Sequence, residues 1–364
     1  MKRLRKVVTR LLCVFALVAA GIAVGGTSAE AAAPNRWGFA LVDIPSGIPN
    51  PTHQAGSWPA GFNVTVSPMG VGQFLVTFPQ IGTTARGIVH VTAVSTGPVS
   101  CQVQRWGTNG VDELVIVQCY QFPGTPVNSA FTVMFQESSG TVPPAQGGLA
   151  YVHWTGGSIG STFNSLGATN TVIPAGVGLW TVTLNGMGTG TQAGGFQVTA
   201  VDPQAPARCK VAGWLTSSAV QQVQVRCFDA VNNPRNTAWN LTWQFRRAIT
   251  GGAAPPAYFG YTFDNSPATA GPYVPVPPNV NFNSAGGAVT LQRTGVGHRL
   301  VNFTGIGVLP DHVQATAFGP GPEYCNIFTL WATSGGVVWI RNVVCYFSTT
   351  PVNHPSFVTY TSAV

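Results

Sequence analysis

Hydrophobic and polar residues alternate with a period of two along most of this chain. Trp180, Val182 and Leu184 share one face of a segment whose other face carries Thr181 and Thr183, the pattern of a half-buried β-strand. The segments Phe74 to Phe78 and Leu300 to Phe303 read the same way. Each follows a Gly-Val-Gly turn, at Gly70-Val71-Gly72, Gly176-Val177-Gly178 and Gly295-Val296-Gly297. A second alternating strand recurs as Val89 to Val94, Phe196 to Val201 and Val313 to Phe318, each containing Thr-Ala. Paired cysteines come next, Cys101 with Cys119, Cys209 with Cys227 and Cys325 with Cys345. A proline turn and an aromatic strand close each set, over Pro126 to Phe131, Pro234 to Trp239 and Pro351 to Phe357.

Four landmarks in one order, three times over, define an internal repeat. Short Gly/Pro/Ser joints at Ser138 to Pro144 and Thr250 to Pro256 set the boundaries. The expected division is repeat 1 over residues 32–140, repeat 2 over 148–249 and repeat 3 over 256–364. Within repeat 2, seven alternating segments fall near 149–154, 163–173, 179–184, 195–201, 208–214, 221–227 and 240–246. Seven short strands in about 110 residues is the signature of a β-sandwich. The predicted fold is therefore all-β, with three tandem antiparallel sandwich-like repeats, each closed by one disulfide within a hairpin. The alternative architecture is a single pseudo-threefold β assembly.

Strand parity sorts the cysteine hairpin, whose turn falls near Gly110, Ser218 and Gly335. In repeat 2, Cys209 and Val211 share a face, as do Val223, Val225 and Cys227, and repeat 1 matches with Val103, Val115 and Val117. The disulfides belong to that apolar side. Ideal parity places Trp106 and Trp214 on the opposite, more polar side. They are the candidate aromatic platform for a sugar ring or other ligand surface; the alternative is that each covers a second small cluster or the neighbouring repeat. Trp331 falls on the cysteine side.

Composition changes the picture at the N-terminus. Five cations within Met1 to Arg10, an apolar run from Leu11 to Val24 and the small residues around Ala29-Glu30-Ala31 predict a secretory signal peptide over residues 1–31, cleaved after Ala31. Export to an oxidising compartment agrees with six remaining cysteines in three local pairs; Cys13 goes with the signal. The whole chain carries 17 Lys+Arg and 10 Asp+Glu, but signal removal leaves 12 and 9. The net charge falls from +7 to +3, with Lys210 the one remaining lysine. That excess does not support nucleic-acid binding, and Arg246-Arg247 reads as a solvated strand end. The run Leu11 to Val24 is short for a transmembrane span, so no membrane insertion is expected after cleavage.

Sequence motifs for chemistry are missing. There is no His-Glu-x-x-His, phosphate loop, dinucleotide fingerprint or calcium loop. No cofactor or metal is expected. Asp112-Glu113 reads as a solvated turn. Gln197 and Gln314 occupy the place of His90, which makes His90 a polar-face strand residue rather than a general base. His53, His153, His298, His312 and His354 each occur in one repeat, without an assignable acidic partner. A specific site would lie in the variable stretches, Ile44 to Ser57, Pro203 to Ala207 and Thr262 to Asn281.

The Gly-Val-Gly turn, the Val-Thr-Ala strand and paired-cysteine strands such as Cys209-Lys210-Val211-Ala212-Gly213-Trp214 and Val223-Gln224-Val225-Arg226-Cys227-Phe228 resemble the uncharacterised secreted β-repeat proteins of actinobacteria. The resemblance spans essentially the whole mature chain and implies no activity. The expected role is non-enzymatic: extracellular binding or a surface scaffold, with a polysaccharide or cell-envelope component as partner. The alternatives are a carbohydrate-binding module using Trp106 and Trp214, and a secreted hydrolase with a dispersed catalytic set.

Overall fold

The computed structural model describes residues 35–140, 147–251 and 257–364. The signal-peptide reading, with Cys13, and the middles of both joints lie outside them. Repeat 1 contains β1 (Arg36–Val42), β2 (Gln54–Gly56), β3 (Thr65–Gly70), β4 (Gln73–Phe78), β5 (Ile88–Val94), β6 (Val99–Asn109), β7 (Asp112–Gln121), β8 (Thr125–Pro126) and β9 (Ala130–Glu137). Repeat 2 contains β10 (Gly148–Trp154), β11 (Ile159–Asn164), β12 (Thr171–Gly176), β13 (Leu179–Asn185), β14 (Gly195–Val201), β15 (Ala207–Thr216), β16 (Val220–Asp229) and β17 (Ala238–Phe245). Repeat 3 contains β18 (Phe259–Asp264), β19 (Phe282–Asn283), β20 (Val289–Gly295), β21 (His298–Gly307), β22 (Asp311–Ala317), β23 (Tyr324–Ile327), β24 (Ala332–Ser334), β25 (Gly336–Phe347), β26 (Thr350–Pro351) and β27 (Ser356–Ser362).

The fold is all-β, and the same two-sheet pattern occurs three times. The inner sheets run β2-β1-β9-β5, β11-β10-β17-β14 and β19-β18-β27-β22; the outer sheets run β3-β4-β7-β6, β12-β13-β16-β15 and β20-β21-β25-β23. Every pairing inside a repeat is antiparallel. The segment expected as one strand over 163–173 is split between β11 and β12. Asn164 accepts from the Leu166 backbone and Gly167 turns at positive φ, which ends the first strand. The disulfides join Cys101 to Cys119, Cys209 to Cys227 and Cys325 to Cys345. Each pair is directly cross-strand, on the core side of its hairpin.

Three of the landmarks meet at one point in each repeat. The second glycine of each Gly-Val-Gly turn accepts a backbone hydrogen bond from the second cysteine, Cys119, Cys227 or Cys345. Its own N–H donates to the side chain of Asn128, Asn236 or Asn353 at 2.6, 2.7 and 2.9 Å. Gly178 adopts φ +64°, and a Cβ there would lie 2.6 Å from the Cys227 carbonyl. Gly178→Ala should therefore cost at least about 2 kcal/mol, more than Gly110→Ala, where φ is also positive but the space is open. Equal urea midpoints for the two variants would contradict this.

The repeats do not simply follow one another. A parallel bridge joins β14 of repeat 2 to β6 of repeat 1 at Val201 and Val103, another joins β5 of repeat 1 to β23 of repeat 3 at Val94 and Ile327, and a third links Val211 of repeat 2 to Phe318 of repeat 3. These contacts run 2 to 1, 1 to 3 and 3 to 2, closing a ring. Core residues cross in the same sense. Val201 enters the core of repeat 1, Phe263 and Phe357 enter that of repeat 2, and Leu41 enters that of repeat 3. The closed pseudo-threefold arrangement, stated above as the alternative, describes this pairing, and Pro34–Val364 form one compact unit.

Candidate functional site

The polar faces of the inner sheets decide where chemistry can sit. On β5, Val89, Val91 and Ala93 face the sandwich core, which leaves His90 and Thr92 for the other side. The same split leaves Gln197 and Thr199 on β14, and Gln314 and Thr316 on β22. In an isolated sandwich that side would meet water. Here all six residues are buried, because the three inner strands face one another.

The threonine of each Thr-Ala pair joins the next repeat. The Val91 N–H donates to Thr199 Oγ1 at 3.3 Å, the Ala315 N–H donates to Thr92 Oγ1 at 3.1 Å, and Thr316 Oγ1 lies 3.4 Å from the Val198 carbonyl as its donor. Strand edges left unpaired at the centre are thus satisfied by side chains, as burial requires. His90 holds Thr199 and Thr242 of repeat 2 at 3.0 and 2.8 Å, and burial drives it down to about 3, so the ring is neutral. His312, likewise pushed down to about 3 by burial, meets Thr132 of repeat 1 at 2.7 Å.

A second ring of contacts uses the residue after each first cysteine. Gln102 donates to the carbonyls of Asp202 and Ala205 in repeat 2 and accepts from the Ala207 N–H. Asn326 donates to the carbonyls of Gly97 and Val99 in repeat 1. Lys210 completes the circuit by donating to Glu323 Oε2 at 3.2 Å and His354 Nε2 at 2.9 Å, both in repeat 3. Burial lowers Lys210 to about 8, against the pull of Glu323. Burial and the neighbouring ammonium push His354 down to about 4, so it is a neutral acceptor. For Glu323, burial pushes upward, but the Lys210 ammonium and a hydrogen bond from the Glu323 backbone outweigh it, and the carboxyl ends below its ordinary value.

Two histidines thus have acidic neighbours that sequence did not assign. His354 lies 3.6 Å from Glu323. His53 Nδ1 lies 2.6 Å from Asp311 Oδ1, and Asp311 also accepts from Trp331 Nε1 and Thr333 Oγ1. That buried carboxylate ties the variable stretch of repeat 1 to repeat 3. His153 pairs with Asn240 at 2.8 Å and is pushed down to about 4 by burial. Thr262 to Asn281 supplies Asp264, which takes Arg299 Nε at 2.7 Å and the Tyr273 hydroxyl.

Three other expectations are corrected. Trp106 and Trp214 are only 5% and 4% exposed and belong to the cores of repeats 1 and 2. A β-bulge between Val103 and Arg105, and another between Val211 and Gly213, adds one residue and reverses the parity. Their indole N–H groups donate to the Arg86 carbonyl and to Gln221 Oε1. Neither offers a platform. Glu113 is 0% exposed rather than solvated: its Oε2 accepts from the Thr83 N–H, and burial raises it to about 7. Arg247 is buried, while Arg246 is exposed.

Where the three first-cysteine strands approach the threonines, the chain leaves a cavity of about 50 Å³. Thr92, Thr199 and Thr316 line it, together with Arg208, Lys210 and Glu323. It is the candidate site that all three repeats build. Among the described residues, no group of three or more His, Cys, Asp or Glu side chains could hold a metal ion, and no helix is long and apolar enough to cross a membrane. No family model, curated protein or solved structure matches the chain.

Proposed function

We propose that the protein is an exported, non-catalytic scaffold or binding protein, built as a closed ring of three repeats and acting on an extracellular partner such as a cell-envelope component. The observation that carries this reading is where the reactive side chains go. His53, His90, His312, His354, Asp311 and Glu323 are all engaged in contacts from one repeat to another. Three disulfides favour an oxidising compartment, in line with the signal peptide read from residues 1–31.

What the repeats offer to solvent in common is the Gly-Val-Gly tip. Val71, Val177 and Val296 are 65%, 64% and 65% exposed, at turns held by an asparagine and a strand backbone. Three equivalent apolar tips suit repeated weak contacts, in which linkage multiplies affinity. Co-sedimentation of the mature chain with purified cell envelopes tests the reading. The intact protein should sediment, the Val71→Ser, Val177→Ser and Val296→Ser triple variant should not, and no soluble fragments should be released. A protein that stays in solution, or one that liberates sugars or peptides, would sink the proposal.

A further inference from the structure

Charge is placed unevenly around the cavity where the repeats meet. Gln102 and Asn326 make their inter-repeat contacts with neutral amides, so the contact itself requires no charge. Repeat 2 uses Lys210 at that position and Arg208 two residues earlier, where the other repeats have Ser100 and Tyr324. Both cations line the cavity, and Glu323 is the one carboxylate facing them there. The lining therefore keeps an excess positive charge.

Donors remain as well. Lys210 has three N–H bonds and spends two, on Glu323 and His354. Arg208 donates from Nη2 to Asn232 at 2.5 Å, and its guanidinium lies 4.7 Å from the centre of the Tyr324 ring. Its Nε is buried without a protein acceptor. A buried unsatisfied donor is costly and marks a place for a bound group. The volume of about 50 Å³ exceeds the roughly 10–15 Å³ that one water needs by several-fold. Wall groups such as Ala93, Ala200 and Ala317 are small, and they leave room for a few atoms rather than a large ligand.

We propose that this cavity binds a small monovalent anion, a halide or a single carboxylate, between Lys210 Nζ and Arg208 Nε. The site does not depend on the scaffold reading, because the anion would sit in the ring whatever its exposed surface contacts. Bromide-soaked crystals of the mature chain, measured at the bromine edge, provide the direct test. The expected result is an anomalous peak within about 3.5 Å of both nitrogens. In solution, the protein should broaden the chloride NMR line, and formate should reverse the broadening. Lys210→Gln, which installs the side chain of repeat 1, should lose both the peak and the broadening; Arg208→Gln serves if that variant does not fold. An empty cavity in the bromide-soaked wild type, a peak unchanged in the variant, or chloride broadening that formate leaves intact would overturn the assignment.

Discussion

Acidification from pH 6.5 to 4.5 should sharply destabilise the folded protein while its disulfides stay intact. Burial holds His90 and His312 down to about 3, and His153 and His354 down to about 4. In the unfolded chain the same rings protonate near the ordinary histidine value. Below that value the unfolded state takes up protons that the folded state refuses, so stability falls with pH and levels out only near the folded values. Each histidine contributes about 1.4 kcal/mol per pH unit across this window, and four together reach about 10 kcal/mol by pH 4.5. Glu113 works the other way. Raised to about 7 by burial, it returns up to about 3 kcal/mol as it protonates. The balance remains a loss of several kcal/mol, a large part of a typical folding free energy. Urea titrations at a series of pH values would measure it. His90→Gln, which copies repeats 2 and 3, should reduce the slope by about one proton. Stability that stays level from pH 6.5 to 4.5 would show that these rings can charge inside the fold.

The same buried faces explain what the sequence could and could not tell. Alternation gives two faces to β5, β14 and β22, but it does not say whether the polar face meets water or another sheet. The signal lay in the kind of polarity. His90, Thr92, Gln197, Thr199, Gln314 and Thr316 carry no Lys, Arg, Asp or Glu, which fits a polar face that is never solvated. Low charge over the whole chain is the composition-level trace of that burial. Asn128, Asn236 and Asn353 stand two residues after Pro126, Pro234 and Pro351, so the pins of the glycine turns are themselves a recurring landmark of the sequence. The bulges that turn Trp106 and Trp214 inward had no such trace, since an inserted residue shifts parity without altering the pattern on either side. Lys210 and Glu323, 113 residues apart in different repeats, meet only because the ring closes.

Removing one repeat from that ring should cost it its fold. Residues 147–251 keep their own disulfide and both sheets, and their polar face could be solvated. What they lose is apolar cover. Phe357 of repeat 3 packs edge-on to Phe196 and Trp214 at centroid distances of 5.3 and 6.0 Å, and Phe263 meets Trp214 at 6.4 Å. Val280 belongs to the same core. Burying each such side chain is worth about 1.5–3 kcal/mol, so losing the three removes about 5–9 kcal/mol, comparable to the whole stability of a small domain. The excised repeat should therefore show no cooperative thermal transition and poorly dispersed amide resonances, whereas the intact chain should unfold in one step. Phe357→Ala carries the argument into the full protein. The substitution lies in β27 of repeat 3, yet it opens the core of repeat 2 and should cost about 3–5 kcal/mol. Amide exchange should quicken in β14 and β15, more than 140 positions away in the chain. Exchange that quickens in repeat 3 alone, or an excised repeat that melts cooperatively, would mean that the three units fold independently and only dock.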